Sequence, residues 1–337
     1  MTRDAAANGE VASLTEKLRE CLDASGWNRR QLVRRMTKAE ALRVKALVLA
    51  NTFIATALGV SYTGARPVVV DCSEDDFLMD LQAAEAKITD RTKVILPVHL
   101  FGRMADPKPT LDLCTRRGLK MVEDAAQAHG AEMSGIRAGA AGSAGCFSFF
   151  PGKNLGAFGD AGAVLTSDAA VRDRLRRLRN YGSTEKYHHP ELGFNCRLDT
   201  IQAVVLDYKL AGLPDASRAR LQHAQGYVER LNGVGDLILP DVPDNGNHVF
   251  HLFVVRTARR DELLSYLHER GVIAGIHYPK PIHLHGAFDH LSEPEGAFPV
   301  AERLAKEIIS LPMCPELTDE QLDRVADVVK AFFESST

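Results

Sequence analysis

Residues 93–98 read Lys-Val-Ile-Leu-Pro-Val and residues 120–123 read Lys-Met-Val-Glu, with a helix-like segment from Asp106 to Arg117 between them. Both flanking runs carry apolar residues consecutively, as strands buried on two faces do. Gly118 follows the helix-like segment at a C-cap position, so the stretch reads as one βαβ unit. Working outward, Pro67 to Asp71, Gly145 to Phe149 and Ala161 to Thr166 are further strand candidates, and Asp80 to Ile88 is a further helix. This alternation predicts an α/β fold with a mostly parallel central sheet. After Arg197 the pattern changes. Leu198 to Leu210 and Ala216 to Leu231 read as helices separated by the breaker Gly212-Leu213-Pro214. Strand-like His251 to Arg256, helix-like Arg260 to Arg270 and a terminal helix from Asp319 to Phe333 then suggest a smaller C-terminal α/β domain. We expect a large domain over residues 1–210 and a small one over residues 211–337.

Composition narrows the function classes. The chain has 337 residues, 45% of them hydrophobic and 25% charged, which leaves no room for a fibrous or largely disordered protein. A net charge of −3 argues against a nucleic-acid partner, because phosphate binding calls for clustered Lys and Arg. No apolar stretch is long enough to span a bilayer, and the polar start MTRDAAANGE has no signal-peptide core, so we expect no membrane partner and a cytoplasmic location. The six cysteines are far apart and form no metal-type cluster with the histidines. They read as reduced, buried thiols, and no metal site is expected.

Two stretches carry candidate chemistry. In Phe147-Ser148-Phe149-Phe150-Pro151-Gly152-Lys153-Asn154-Leu155-Gly156 a lysine sits in a glycine-rich loop between two apolar strands. An amine held away from bulk water has a lowered pKa and can act as a nucleophile or form a Schiff base. On the loop alone, however, a lysine after Pro-Gly is an ordinary turn residue. In Val122-Glu123-Asp124-Ala125-Ala126-Gln127-Ala128-His129-Gly130 an acidic residue ends a buried strand, the end at which open α/β sheets bind ligands. The spacing of Asp124 and Lys153 lets both reach one crevice. A carboxylate and an amine there suit pyridoxal phosphate, which needs a lysine for its aldehyde and a carboxylate to keep its ring nitrogen protonated. They equally suit a buried Asp–Lys ion pair.

The stretches VEDAAQAHGA and FSFFPGKNLGAFGDAGAV, followed by Gly193-Phe194-Asn195-Cys196-Arg197-Leu198-Asp199, closely resemble the DegT/DnrJ/StrS family of nucleotide-sugar aminotransferases. The likeness runs from about Asn51 to the C-terminus, with three motifs in order. It implies a type I pyridoxal-phosphate (aspartate aminotransferase-like) fold and a homodimer with active sites shared between subunits. It also implies a nucleotide-sugar substrate, aminated at C-3 in the subtype suggested by residues 275–284, and glutamate or glutamine as amino donor. By the same resemblance Lys153 is the Schiff-base lysine and general base, Asp124 the partner of the ring nitrogen and Gln127 a neighbour of the ring hydroxyl. Ser148 and, from the other subunit, Asn195 hold the phosphate; Phe53 stacks on the ring, and His277 and Tyr278 face the substrate. His99 and His129, at strand ends, are candidates for supporting roles. A dehydratase of the same fold resembles this pattern with histidine in place of the lysine, so Lys153 argues against it. A defective homologue is the other alternative.

The chain departs from the family at its N-terminal side. The leading segment is short, and the Ser-Gly-Thr phosphate motif reads Ser25-Gly26-Trp27; the strand approach of the Gly-Asp-Glu-Val type is missing. From Trp27 to Lys45 there are seven Lys or Arg against one acidic residue, Glu40, a local charge of +6. One reading is a solvated basic helix. Another is a frameshift over about residues 26–49: the codons of Trp27-Asn28-Arg29, TGG AAY CGN, contain GGA ACC one base on when Asn28 is AAC, and this encodes Gly-Thr. A chain so altered is expected to bind the cofactor phosphate more weakly. Sequencing the coding DNA tests the idea: the alternate frame should encode Gly-Thr followed by an apolar helix, and its absence would end the frameshift reading.

Overall fold

The computed structural model describes residues 44–243 and 245–335. Six strands form the central sheet: β1 (Lys45–Leu49), β2 (Arg66–Val70), β3 (Thr92–Leu96), β4 (Lys120–Asp124), β7 (Ala144–Ser148) and β8 (Gly162–Leu165). Their spatial order is β2-β1-β3-β4-β7-β8. All neighbouring pairs run parallel except β7 and β8, which are antiparallel. A two-residue hairpin, β5 (Glu132–Met133) with β6 (Ile136–Arg137), lies between β4 and β7 in the chain. The parallel crossovers are made by α1 (Ile54–Tyr62), α2 (Leu81–Ala86) and α3 (Pro107–Arg117). Asp80 caps α2 and Asp106 caps α3 through their side chains, and Gly118 closes α3 in the left-handed conformation, φ 63°.

The chain continues through α4 (Ala169–Leu178), α5 (Thr200–Leu210) and α6 (Leu213–Leu231). It then forms β9 (Phe253–Arg256), α7 (Arg260–Glu269), α8 (Pro299–Glu307), β10 (Ile308–Leu311) and α9 (Asp319–Glu334), with β9 and β10 antiparallel. One apolar cluster packs Leu47, Leu49, Ile95 and Leu113 with Phe288, Phe298 and Leu304, so residues from the last sixty also cover the large sheet. A second gathers Tyr227, Phe253, Leu263 and Val329 around the β9-β10 pair. Each fully buried side chain of this size contributes about 1.5–3 kcal/mol.

Every strand and helix predicted from Pro67 onward is present, with ends shifted by a few residues; the basic helix read over Trp27 to Lys45 lies outside the described residues except at its end, where Lys45 begins a strand. The strand approach judged missing is supplied by Lys45–Leu49, whose Ala46 to Leu49 are buried between β2 and β3. Its basic first residue and small alanine hid it. Gly212 ends the gap between α5 and α6, but Leu213 and Pro214 belong to α6, where a proline tolerates the first turn because no N–H is needed there. Of the cysteines, Cys72 and Cys114 are buried as expected, whereas Cys196 is exposed. Of the segment read as frameshifted, about residues 26–49, residues 26–43 lie outside the described residues, as does Cys21. No helix among the described residues is long and apolar enough to cross a membrane, and no group of three or more potential metal ligands occurs among them.

Glu123, fully buried in β4, fixes the loop that leads into β7. Its carboxylate accepts N–H bonds from Gly139 (2.9 Å), Ala141 (2.9 Å) and Gly142 (2.7 Å) and lies 3.0 Å from His99 Nε2. His99 Nδ1 accepts from the Ala105 N–H, so Nε2 carries the proton and donates to Glu123. A side chain at Gly142 would come within 2.6 Å of the Met121 carbonyl, which keeps this loop close to β4. Burial alone would raise the Glu123 pKa, but the bonds from His99, Gly142 and Gly139 outweigh it and hold the carboxyl below its ordinary value. Its contribution to stability is therefore present above the unfolded-state carboxyl pKa and is lost as pH falls through the lower folded value. Glu123→Gln should cost about 3 kcal/mol at neutral pH, read as a lower denaturant midpoint, because an amide nitrogen then meets N–H donors. The deficit should shrink in acid; an unchanged midpoint would contradict this role.

Candidate active site

The cleft forms where the parallel strands end. β1 runs out into Asn51-Thr52-Phe53 and α1, β4 ends at Asp124, and β7 ends at Ser148 before the loop that carries Lys153. The Asp124 N–H bonds to the Pro97 carbonyl and its own carbonyl accepts from His99, which fixes the strand end. The cleft encloses about 510 Å³. Of the predicted site residues, Lys153, Asp124, Gln127, Ser148, Phe53, His277 and Tyr278 all line it. Asn195 does not. It lies exposed in the segment that bridges to Asn180, with its Oδ1 accepting from Arg197 Nε at 3.1 Å.

Asp124 is held from both sides. Thr56 Oγ1 donates to Oδ2 at 2.7 Å, and the Ala126 N–H donates to Oδ1 at 3.1 Å. Thr52 Oγ1 in turn lies 3.0 Å from Thr56 Oγ1, so the start of α1 presents a short hydroxyl chain to the carboxylate. No cation among the described residues forms an ion pair with Asp124, which removes the reading of an Asp124–Lys153 salt bridge. Lys153 follows a tight turn closed by its N–H to the Phe150 carbonyl at 2.9 Å. Burial lowers its pKa below the ordinary lysine value, while the charge of Asp124 works in the opposite direction.

Three histidines near the amine are held neutral. Burial takes the His129 pKa down to about 4, tempered by the Ser148 main chain and assisted by Lys153. Neither His129 nitrogen makes a well-formed hydrogen bond; the ring packs against Phe147 and Phe149. Burial and Lys153 also lower the His277 pKa, and burial drives that of His251 well below the usual range. His277 Nδ1 lies 2.9 Å from Ser310 Oγ.

Gln127 is held by the protein at both ends of its amide, with a second N–H and a second lone pair left over. Its Oε1 accepts from the Phe101 N–H at 2.6 Å and its Nε2 donates to Tyr278 Oη at 3.0 Å. Tyr278 therefore keeps its own proton free to donate, and burial raises its pKa to about 12. Phe53 is 51% exposed, too open for a core aromatic, and meets Tyr278 at a tilt of 38° with ring centroids 5.3 Å apart. Sequence reasoning missed Thr56, Asn154 and His251. Thr56 is the third residue of α1, a helix that the sequence analysis does not predict, and His251 is read there only as the beginning of a strand.

This donor set suits a flat, aldehyde-bearing heteroaromatic ring. The amine can condense with the aldehyde, the carboxylate can face a protonated ring nitrogen, and an open aromatic face stands beside both. Similarity to known proteins agrees. The DegT/DnrJ/EryC1/StrS aminotransferase family matches residues 37–330. The dTDP-3-amino-3,4,6-trideoxy-α-D-glucose transaminase of Streptomyces venezuelae is 47% identical over 290 residues, 86% of this chain and 76% of that protein. The UDP-N-acetyl-3-dehydro-α-D-glucosamine 3-aminotransferase of Acidithiobacillus ferrooxidans is 46% identical over 286 residues, 85% of this chain and 77% of that one. The crystal structure of S. venezuelae DesV in complex with a ketimine intermediate superposes with a TM-score of 0.84 at 46% identity, covering 90% of this chain and 82% of that one. The chain belongs to the DegT/DnrJ/EryC1/StrS aminotransferase family, and is a pyridoxal-phosphate-dependent aminotransferase with the type I α/β fold.

Proposed function

We propose that the chain transfers an amino group from glutamate or glutamine to the carbonyl of a nucleotide-linked keto sugar, at C-3. The observation that carries this reading is an amine of lowered pKa in a cleft with a carboxylate that has no ion-pair partner among the described residues, in a chain whose relatives are named for 3-amino sugars. Bound pyridoxal phosphate supplies an electron sink for the bond-breaking steps. Asp124, with one donor on each oxygen, keeps a lone pair free to hold the ring nitrogen protonated. Ser148 Oγ accepts from the Phe150 N–H at 3.3 Å, which leaves its proton free for a phosphate oxygen. Phe53, beside Tyr278 in the cleft, would cover one face of the bound ring, and the bond from Gln127 would hold Tyr278 for the substrate. Lys153, bonded to no other described residue through its amine, moves the proton between the reacting carbons.

The same proposal includes a homodimer whose Asn195 serves the partner's cleft, and a cytoplasmic location. α5 supports the dimer: Ile201, Val204 and Tyr208 are 75%, 64% and 84% exposed on one helix beside Phe158 at 74%, more apolar surface than an isolated chain usually leaves in water. Free thiols support a reducing compartment.

Two measurements test this. Mixed with pyridoxal phosphate, the protein should develop the visible absorption band of lysine-bound cofactor, and Lys153→Ala should lack it; a band that survives the substitution would exclude this lysine. Lys153→Ala and Asn195→Ala subunits, each inactive alone, should regain about half of wild-type activity per mixed dimer, or about a quarter for a randomly reassorted mixture, because one of the two shared sites in each mixed dimer has both residues. Verified mixed dimers without activity would contradict shared sites.

A further inference from the structure

The histidine at position 251 has a fixed proton, and only the use made of its other nitrogen rests on the aminotransferase reading. Asn154, next to Lys153, donates from Nδ2 to the Val249 carbonyl at 2.9 Å, and its Oδ1 lies 3.1 Å from His251 Nδ1. A carbonyl can only accept, so the amide nitrogen must face Val249 and the amide oxygen must face His251. His251 Nδ1 therefore carries the ring proton. A second proton on Nε2 is opposed by burial and by Lys153, Arg220, His129 and His277, the groups that surround the ring. Arg220 itself is held by the Phe250 and Met313 carbonyls, so it stays charged beside the ring. Nε2 makes no hydrogen bond to any described residue, and His251 lines the cleft with Lys153, His277 and Tyr278.

The carboxylates of Asp124 and Asp160 line the same cleft as anionic acceptors, whereas Lys153, Tyr278 and His277 are of opposite or open type. Lys153 offers N–H donors, and Tyr278, whose oxygen accepts from Gln127, offers its O–H. His277 Nδ1 faces a serine hydroxyl that suits either tautomer. His251 Nε2 is the member of this wall whose bare lone pair is dictated by its neighbours.

We propose that His251 Nε2 is a substrate-recognising acceptor for a proton-bearing group of the bound substrate, and that Asn154 is the positioning residue that fixes its tautomer. The shared chemistry is a hydroxyl or ammonium donor, from the sugar or from the amino acid. The two half-reactions distinguish these sources, because each contains only one of them.

The test uses the cofactor-loaded enzyme in single-turnover half-reactions, with L-glutamate in one and dTDP- and UDP-linked 3-keto sugars in the other. His251→Ala should raise the half-saturating concentration roughly tenfold in one half-reaction and leave the other unchanged, the loss expected for one hydrogen bond. The visible band should be retained. His251→Gln, which returns an amide oxygen to the same reach, should recover part of the loss. Asn154→Asp sets a carboxylate beside Nδ1 and raises the His251 pKa, so tight binding in the affected half-reaction should appear only above a new acid limb that the wild type lacks. Equal losses in both half-reactions, no loss in either, or an Asn154→Asp profile with no new limb would overturn the inference. A wild-type enzyme inactive in both half-reactions would instead overturn the aminotransferase reading.

Discussion

A carboxylate at the end of β4, given two hydrogen-bond donors and no paired cation among the described residues, is the constraint around which the cleft is built. A carboxylate in a half-buried site normally acquires a cation or takes up a proton, because desolvation is costly. Here Thr56 and the Ala126 N–H stabilise it only in part, and Lys153 stands near without forming an ion pair. Such a site is prepared for a ligand that brings its own positive charge. A protonated pyridine ring is one, and its binding by the carboxylate is what makes it a better electron acceptor.

The neighbouring residue has the complementary task. Glu123 faces the opposite side of β4 and spends its charge on three loop N–H groups and His99, a structural task, where Asp124 is the carboxylate proposed for the chemistry. Alternation along one strand separates the two carboxylates, one ordering the loop toward β7 and the other facing the cleft. The ordered loop and β7 carry Ser148 and then Lys153, so the position of the amine depends on a buried carboxylate it never touches.

Much of this was legible in the sequence because the parallel strands are unbroken apolar runs ended by polar residues. Asp124 at the end of Lys-Met-Val-Glu and Lys153 after Pro-Gly could be matched to one crevice from topology alone. β1 was not legible: Lys-Ala-Leu-Val-Leu is short, begins with a charge and follows a basic run, and only pairing on both sides by β2 and β3 makes it a strand. The roles of Thr56, Asn154 and His251 were hidden for another reason. Each depends on a contact between residues 68 or more than 90 positions apart in the chain, which no local pattern encodes. Gln127 was expected beside the cofactor ring, and its two bonds to Phe101 and Tyr278 came only from the folded arrangement.

The central claim is that the charge of Asp124, rather than its shape, drives the chemistry. Asp124→Asn keeps the size and can keep the hydrogen bond from Ala126, but cannot hold a ring nitrogen protonated. The most direct measurement is the rate of the L-glutamate half-reaction in this variant, taken with its denaturant midpoint. The account predicts a fall of about 100-fold or more in rate with a midpoint close to that of the wild type. An unchanged rate would contradict it.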